Sequence, residues 1–262
     1  FDLLRAMKAL GGVAWCHCEN GQVINQLIAE ARAEGRLGPE AHPRCRPDLL
    51  EAEAIARLAY LAELAGAPAG VVHLSSEAGL NEVRKARARG VKVLAETCPQ
   101  YLTLSEERYL EPNFGGAKYV CSPPLRRARD AEALIEAVQA GEIDTIATDH
   151  CSYTLAQKAL GAEDFSKIPN GLPSIEHRPA LIYSLLVATK KISPSDMCRL
   201  MAENPARLYG LYPRKGVIRP GADADIVVWD REAKWVLRAS EQNMKSDYSP
   251  WEGFEITGRP RE

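Results

Sequence analysis

Short apolar runs rich in β-branched residues alternate with longer segments of helical periodicity through most of this chain. The runs span residues 12–17, 70–74, 91–97 and 143–148. The segments between them place apolar residues three and four positions apart, and several end at a glycine, which readily takes the backbone conformation found after the last turn of a helix. Strands that alternate with helices in this way predict right-handed βαβ units, and hence a parallel sheet in an α/β protein.

The alternation of apolar runs and helical segments ends after the fourth run. The pair Asn204-Pro205 predicts the start of a short helix, because asparagine caps a helix and proline suits its first position. Residues 216–230 predict two short strands joined by a Pro-Gly turn. We therefore expect two regions, an α/β body over residues 1–210 and a small β region over residues 211–262.

Charge and composition argue against several classes of function. The net charge is -2 and no basic block occurs, so we expect neither a nucleic-acid nor an anionic-membrane partner. No apolar run approaches the roughly 18 residues that a membrane span needs. The seven cysteines follow no framework spacing, which favours reduced thiols and a cytoplasmic location.

Three of the four predicted strands are followed by a residue that is able to bind a metal or to move a proton. His17 ends the first strand, His73 lies near the end of the second, and Asp149 follows the fourth. The carboxyl ends of parallel strands share one edge of a sheet, where each strand contributes a residue to a common site. Two imidazoles and a carboxylate suit a divalent metal such as zinc. The spacing leaves a second interpretation open, in which both histidines are hydrogen-bonded core or loop residues and Asp149 caps the following segment.

Other candidates have an ordinary structural interpretation. Ser122 lies in a proline-bearing loop without the Gly-x-Ser-x-Gly pattern of a nucleophilic serine, so it is either a substrate contact or a turn residue. Asn170 precedes a glycine in a turn, and its spacing carries no functional weight. Cys16 and Cys18 flank His17, but strand alternation directs them to the opposite face, so we interpret both thiols as structural.

Ordered motifs along essentially the whole chain resemble those of the dihydropyrimidinases and hydantoinases. Residues 17–21, His-Cys-Glu-Asn-Gly, are similar to the family's His-Ala-Glu-Asn-Gly motif, and residues 72–76 are similar to its second histidine motif. The remaining matches are residues 96–102, 121–126, 148–151, 168–173, 223–227 and 247–253. Allantoinases share several of these motifs, whereas Gln100 and the Asn170 loop favour the hydantoinase branch.

The resemblance implies a (β/α)8 barrel of the amidohydrolase superfamily joined to a small β-sandwich, with the strands of this chain as the fifth to eighth of the barrel. It also implies two zinc ions bridged by hydroxide and by a carboxylated lysine. His17 and His73 match the ligands of one ion. Asp149 matches a ligand of the other ion, and the group that moves a proton from the hydroxide to the leaving nitrogen. Ser122 and Asn170 match positions whose main-chain groups hold a small cyclic amide or imide substrate.

The sequence departs from the family's pattern in its metal ligands. It contains no His-x-His pair, and the bridging lysine has no match, since Lys8 lies in a helical pattern before the strand of His17. We therefore expect a C-terminal fragment that carries about half a barrel and is inactive alone. Its open sheet edges and uncovered apolar face, together with the tetramers common in the family, predict a homo-oligomer.

The resemblance thus predicts zinc-dependent opening of cyclic amides, such as dihydropyrimidines and hydantoins, to N-carbamoyl amino acids. Two alternatives stay open. A non-catalytic scaffold similar to the dihydropyrimidinase-related proteins would keep the fold and lose metal ligands, although His17, His73 and Asp149 are all retained here. An allantoinase or dihydroorotase would keep the chemistry and change the ring.

Overall fold

Four parallel strands form the main sheet of the protein, which a computed structural model describes over residues 1–261. The strand order is β1-β2-β3-β4, so each strand pairs with the next one along the chain. The strands are β1 Ala14–Cys16, β2 Ala69–Val71, β3 Val93–Thr97 and β4 Thr145–Ile146. This sheet confirms the predicted α/β class, although each strand is shorter than the apolar run that predicted it.

Helices connect the successive strands, as parallel pairing requires. They are α1 Asp2–Ala9, α2 Gly21–Ala33, α3 Ala41–Arg44, α4 Asp48–Ala65, α5 Glu77–Ala88, α6 Pro99–Thr103, α7 Ala128–Gln139, α8 Leu155–Lys158, α9 Arg178–Ile182, α10 Pro194–Cys198 and α11 Asn204–Leu208. Helices α2 to α4 lie between β1 and β2, α5 lies between β2 and β3, and α6 and α7 lie between β3 and β4. The carboxyl ends of all four strands therefore meet at one edge.

Helix α4 illustrates how local chemistry sets the ends of a helix. It has the acidic Asp48 in its first turn and ends at Gly66, whose φ of 59° is left-handed. Negative charge is favourable at the positive end of the helix dipole, and glycine adopts a positive φ without a steric clash. The apolar spacing at Ile55, Leu58, Ala59 and Ala62 and the glycine at position 66 predict a helix over residues 48–65, and these bounds are confirmed.

The main core lies between the sheet and helices α4 and α5. Ile55 of α4 and both Leu80 and Val83 of α5 are fully buried. Gly79 permits this packing, because a Cβ at that position would lie 2.9 Å from Leu74 Cδ1 and 3.0 Å from Ile55 Cδ1. Leu74 belongs to the loop that follows β2, so the same packing holds the segment of His73 in place.

The prediction of two strands within residues 216–230 is wrong. The small antiparallel sheet instead consists of β5 Trp229–Val236 and β6 Glu255–Pro260. In the segment before β5, the side chains of Ile226, Val227 and Val228 are each more than half exposed. Strand propensity alone does not form a strand, because the backbone must pair with a partner strand. In the described structure of residues 216–236, this pairing begins only at Trp229, where β5 pairs with β6.

The predicted short helix is present as α11, Asn204–Leu208, but the interpretation of Asn204 as its cap is wrong. A turn of π-helix, Arg199–Glu203, joins α10 to α11, so Asn204 lies inside a continuous helical segment. The true cap is Ser193, whose side chain accepts a hydrogen bond from the Asp196 N–H in a capping box. The π-helical turn accommodates Pro205, which has no N–H for the usual helical hydrogen bond.

The two-stranded sheet and its flanking loops contact the α/β body. Trp251 is fully buried, and its Nε1 donates to Thr103 Oγ1 over 2.8 Å. We keep the division into residues 1–210, a partial barrel, and residues 211–262, part of a small β-sandwich, as a proposal. None of the helices within residues 1–261 combines the length and the apolar character needed to cross a membrane.

Candidate active site

His17 and His73 meet at the carboxyl edge of the sheet. They follow the neighbouring strands β1 and β2, and His17 Nδ1 lies 3.0 Å from His73 Nε2. His73 has a left-handed backbone with a φ of 43°. Non-glycine residues rarely adopt this conformation, and they do so preferentially at functional sites. The structure therefore brings together two of the predicted metal ligands.

The spacing of the two imidazoles fits a shared metal ion. Two ligands of a tetrahedral zinc, each about 2.0–2.1 Å from it, stand about 3.3 Å apart. Burial, together with the nearby charge of His17, lowers the pKa of His73 to about 4, so its imidazole is neutral at pH 7 and has a lone pair to donate. Among residues 1–261, however, no three His, Cys, Asp or Glu side chains form a group able to hold a metal. The pair thus fits as part of a ligand set.

Asp149 lies at the same edge of the sheet, after β4. Its φ of 47° is left-handed, like that of His73. Burial raises the pKa of the Asp149 carboxyl, while the charge of His17 acts in the opposite direction. Burial, together with the charge of Asp149, raises the pKa of Glu96 of β3, although the hydrogen bond from Thr145 Oγ1 at 3.0 Å opposes the shift. All four strands therefore direct a candidate ligand or a carboxylate to this edge.

Glu19 contacts the ring nitrogen of His17 that does not face His73, and Arg46 pairs with Glu19. Glu19 Oε2 lies 3.0 Å from His17 Nε2 and 2.6 Å from Arg46 Nη1. Burial by itself raises the pKa of Glu19, but the hydrogen bond from His17 and the charge of Arg46 outweigh it, so the pKa lies below its usual value. Because a carboxylate only accepts, His17 carries a proton on Nε2, and in the neutral form of the ring Nδ1 keeps the lone pair that faces His73.

A buried polar network continues from Arg46 to the loop of His73. The Arg46 carbonyl accepts a hydrogen bond from Arg126, whose Nε donates to Ser75 Oγ over 3.0 Å. Both the N–H and the hydroxyl of Ser75 donate to Glu51 over 2.9 Å. Since Ser75 lies two residues after His73, this network ties the supports of the two histidines together.

Ser122 and Asn170 are 48 residues apart in sequence and adjacent in space. Ser122 Oγ donates to Asn170 Oδ1 over 2.6 Å, and Asn170 Nδ2 donates to the Ile168 carbonyl over 3.0 Å. Within residues 1–261, the main-chain N–H and carbonyl of Ser122 and the carbonyl of Asn170 take part in no hydrogen bond. These main-chain groups are therefore available to a ligand that offers both a donor and an acceptor.

His42 anchors the Ser122 loop from the side of α3. It is 3% exposed, and its Nε2 donates to the Cys121 carbonyl over 2.7 Å. Burial, helped by the charge of Arg46, lowers the pKa of His42 to about 3, although the hydrogen bond to Cys121 opposes the shift. A neutral imidazole thus holds the residue that precedes Ser122.

Acid should destabilise the protein through His42. Its pKa falls from 6.5 when exposed to about 3 when folded, so the unfolded chain binds more protons between these values and stability falls as the pH drops through this window. Between pH 7 and pH 4.5, we expect the free energy of unfolding to fall by about 2 kcal/mol more in the wild type than in His42→Gln. Urea unfolding at the two pH values measures this difference, and equal losses in both proteins would contradict the role of His42.

Several residues of this site were not predicted from the sequence. Glu19 lies within the recognised motif of residues 17–21, so its position two residues after His17 was an available signal. Glu96 opens the recognised segment of residues 96–102, so it carried a similar signal. Arg46 and His42 carried none, because their partners are remote in sequence. Lys8, set aside as the bridging lysine, does lie in α1, where its Nζ donates to the Ala65 carbonyl over 3.3 Å on the surface.

Comparisons with known proteins show what the whole chain resembles. Residues 25–255 match the sequence model of the amidohydrolase family, whose members generally use a metal. A D-hydantoinase of Streptomyces coelicolor is 45% identical over 98% of this chain. Among solved structures, the dihydropyrimidinase of Brevibacillus agri superposes with a TM-score of 0.97 at 39% identity over 98% of the chain. The L-hydantoinase of Arthrobacter aurescens gives 0.90 at 30% identity over 99% of the chain.

The chain spans little more than half of the proteins that it resembles. It covers 56% of the Streptomyces protein, 56% of the Brevibacillus chain and 57% of the Arthrobacter chain. The structural matches include one protein named D-hydantoinase and one named L-hydantoinase. Proteins with either name therefore share the fold of this chain.

Proposed function

Because this chain belongs to the amidohydrolase family, we propose that the protein that carries it opens cyclic amides by metal-dependent hydrolysis. The substrates would be small rings such as dihydropyrimidines and hydantoins, and the products N-carbamoyl amino acids. The observation that carries the proposal is the convergence of His17 Nδ1 and His73 Nε2, 3.0 Å apart, at the edge of the sheet that also bears Asp149.

The metal would be zinc, with two ions in the complete site. His17 and His73 would hold one ion, and Asp149 would be a ligand of the other. The His-x-His pair and the carboxylated lysine of the family have no counterpart in this sequence, and we propose that they come from other residues of the whole protein. When bound, zinc polarises an amide carbonyl and lowers the pKa of a bound water to about 7.

The residues of this chain would position the ring and move the proton. A cyclic imide offers an N–H donor beside carbonyl acceptors, which complements the free main-chain groups of Ser122 and Asn170. As the water oxygen bonds to the ring carbonyl carbon, Asp149 accepts the water proton and delivers it to the ring nitrogen when the C–N bond breaks. The raised pKa of Asp149 suits a group that both takes and releases a proton.

Turnover of four rings by the zinc-loaded whole protein tests this proposal. We expect hydrolysis of dihydrouracil or a 5-substituted hydantoin, measured as release of the N-carbamoyl amino acid. Preference for allantoin or dihydroorotate would keep the chemistry and change the substrate. If the zinc-loaded protein turns over none of these rings, the hydrolase proposal fails and a non-catalytic scaffold takes its place.

We also propose a cytoplasmic homo-oligomer, with four subunits as the expected number. All seven cysteines are unpaired within residues 1–261, which suits a reducing compartment. Strands β1 and β4 each pair on one side only among these residues, so two sheet edges remain for contacts with other parts of the protein or with other subunits. Light scattering gives the mass, and a monomer would refute the oligomer.

Replacing Glu19 should weaken zinc binding without removing a ligand. Glu19→Gln can present its amide N–H to His17 Nε2, which favours the wrong tautomer, and loses the charge that pairs with Arg46. We expect the affinity of the whole protein for zinc to fall about 10- to 100-fold, as for other residues that orient metal ligands. Competition with a chelator measures it, and Glu34→Gln, a change at an exposed glutamate, is the control. Equal affinities of the two variants would count against a role for Glu19.

A further inference from the structure

Lys158, the last residue of α8, is a buried cation that the proposed function leaves unused. It is 1% exposed. Its ammonium donates to the carbonyls of Val120 at 2.8 Å, Pro169 at 2.6 Å and Gly171 at 2.9 Å. A lysine has three N–H donors, so all three are engaged. Among residues 1–261, no carboxylate lies within 4.0 Å of this ammonium.

Keeping such a charge in the interior is unfavourable. A buried ion normally pairs with an opposite charge. Among residues 1–261, Lys158 is compensated instead by three carbonyl dipoles and by the Tyr153 ring, whose centroid lies 5.6 Å from Nζ. Burial accordingly lowers the pKa of Lys158 to about 8. An apolar side chain of similar length would avoid this cost. The three hydrogen bonds of the ammonium are therefore what distinguishes lysine at this position.

The three carbonyls belong to the two loops that carry Ser122 and Asn170. Val120 lies two residues before Ser122, and Pro169 and Gly171 flank Asn170 on either side. The Gly171 N–H also donates to the Val120 carbonyl over 3.0 Å. One ammonium thus holds both loops at the point where Ser122 Oγ meets Asn170 Oδ1.

We propose that Lys158 is a positioning residue that holds these two loops in register, so that the main-chain groups of Ser122 and Asn170 face the substrate ring. Lys158 engages the carbonyls of Pro169 and Gly171, while the carbonyl of Asn170 between them accepts no hydrogen bond within residues 1–261. The identity of the ligand as a substrate ring rests on the proposed function. The role of Lys158 in holding the two loops together does not.

Lys158→Met in the zinc-loaded whole protein tests the proposal. Methionine keeps the length and removes the charge and all three donors. We expect KM for the preferred ring to rise about tenfold or more, with a smaller change in kcat and an unchanged zinc content, because binding geometry is lost while the metal ligands stay. Lys167→Met is the matched control, since Lys167 is exposed and lies on the same connection between α8 and Asn170.

Amide hydrogen exchange supplies a readout that does not depend on turnover. Exchange at residues 120–122 and 170–172 should be faster in Lys158→Met than in Lys167→Met. Unchanged KM and exchange would overturn the proposal.

If Lys158→Met does not fold, the same measurements on Lys158→Arg decide, because a planar guanidinium cannot reproduce the three bonds. Failure of both variants to fold would assign Lys158 to global stability and overturn the proposal too. If the wild type opens no ring, the proposed function fails while exchange still tests the register.

Discussion

Asp149→Asn in the zinc-loaded whole protein should lower kcat for ring opening by about 10³-fold. Asparagine keeps the shape of the side chain and cannot take a proton from water or release one to the leaving nitrogen. The left-handed φ of 47° at this position is tolerated by asparagine, so the backbone should stay in place. Initial rates at saturating substrate, with zinc content measured in parallel, check the prediction.

The control for this variant is Asp225→Asn, a change at an exposed aspartate that pairs with Lys215 far from the sheet edge. We expect its kcat to match the wild type. An Asp149→Asn protein that keeps more than about a tenth of the activity would show that another group moves the proton. Glu96, whose pKa is raised by burial at the same edge, would then be the next residue to test.

His73→Ala should remove a metal ligand and with it most of the zinc affinity. Residues that only orient a metal ligand contribute about 10- to 100-fold to affinity, so loss of the ligand itself should exceed about 100-fold and abolish measurable ring opening. The structure places His73 Nε2 at 3.0 Å from His17 Nδ1, and loss of one imidazole leaves the other without its partner. Zinc per chain after dialysis, by elemental analysis, measures the effect.

His177→Gln separates this effect from damage to the core. His177 is 3% exposed, against 7% for His73, and its contacts are with Gln242 and Trp251. We expect it to lose stability and to keep its zinc. If His73→Ala retains wild-type zinc, His73 is a structural histidine, and the metal site must lie elsewhere in the whole protein.

The sequence was most informative where chemistry is local. The bounds of α4 follow from Asp48, Gly66 and the apolar spacing between them, all within one segment. The same holds for the strand ends, because His17 and His73 lie at or near the end of an apolar run and Asp149 directly follows one. Parallel pairing then makes a common edge unavoidable, so the grouping of the three residues could be anticipated.

The sequence was misleading where structure depends on a distant partner. Residues 216–230 have the composition of strands, yet Ile226, Val227 and Val228 are left exposed and only the stretch from Trp229 finds a partner. Asn204 has the composition of a cap and instead donates to the Asp144 carbonyl over 2.7 Å, in the interior of a helical segment. Propensity is a weak preference that tertiary contacts override.

Composition and periodicity were enough to establish the α/β class and the edge at which His17, His73 and Asp149 gather, since both follow from the order of strands and helices. Tertiary structure alone decided that two imidazole nitrogens meet at 3.0 Å and that Ser122 contacts Asn170. It also decided that Lys158, a polar residue in a connecting segment, is buried. The physical reason is that such contacts join residues many positions apart, and a linear pattern records neither the distance between them nor their exclusion from water.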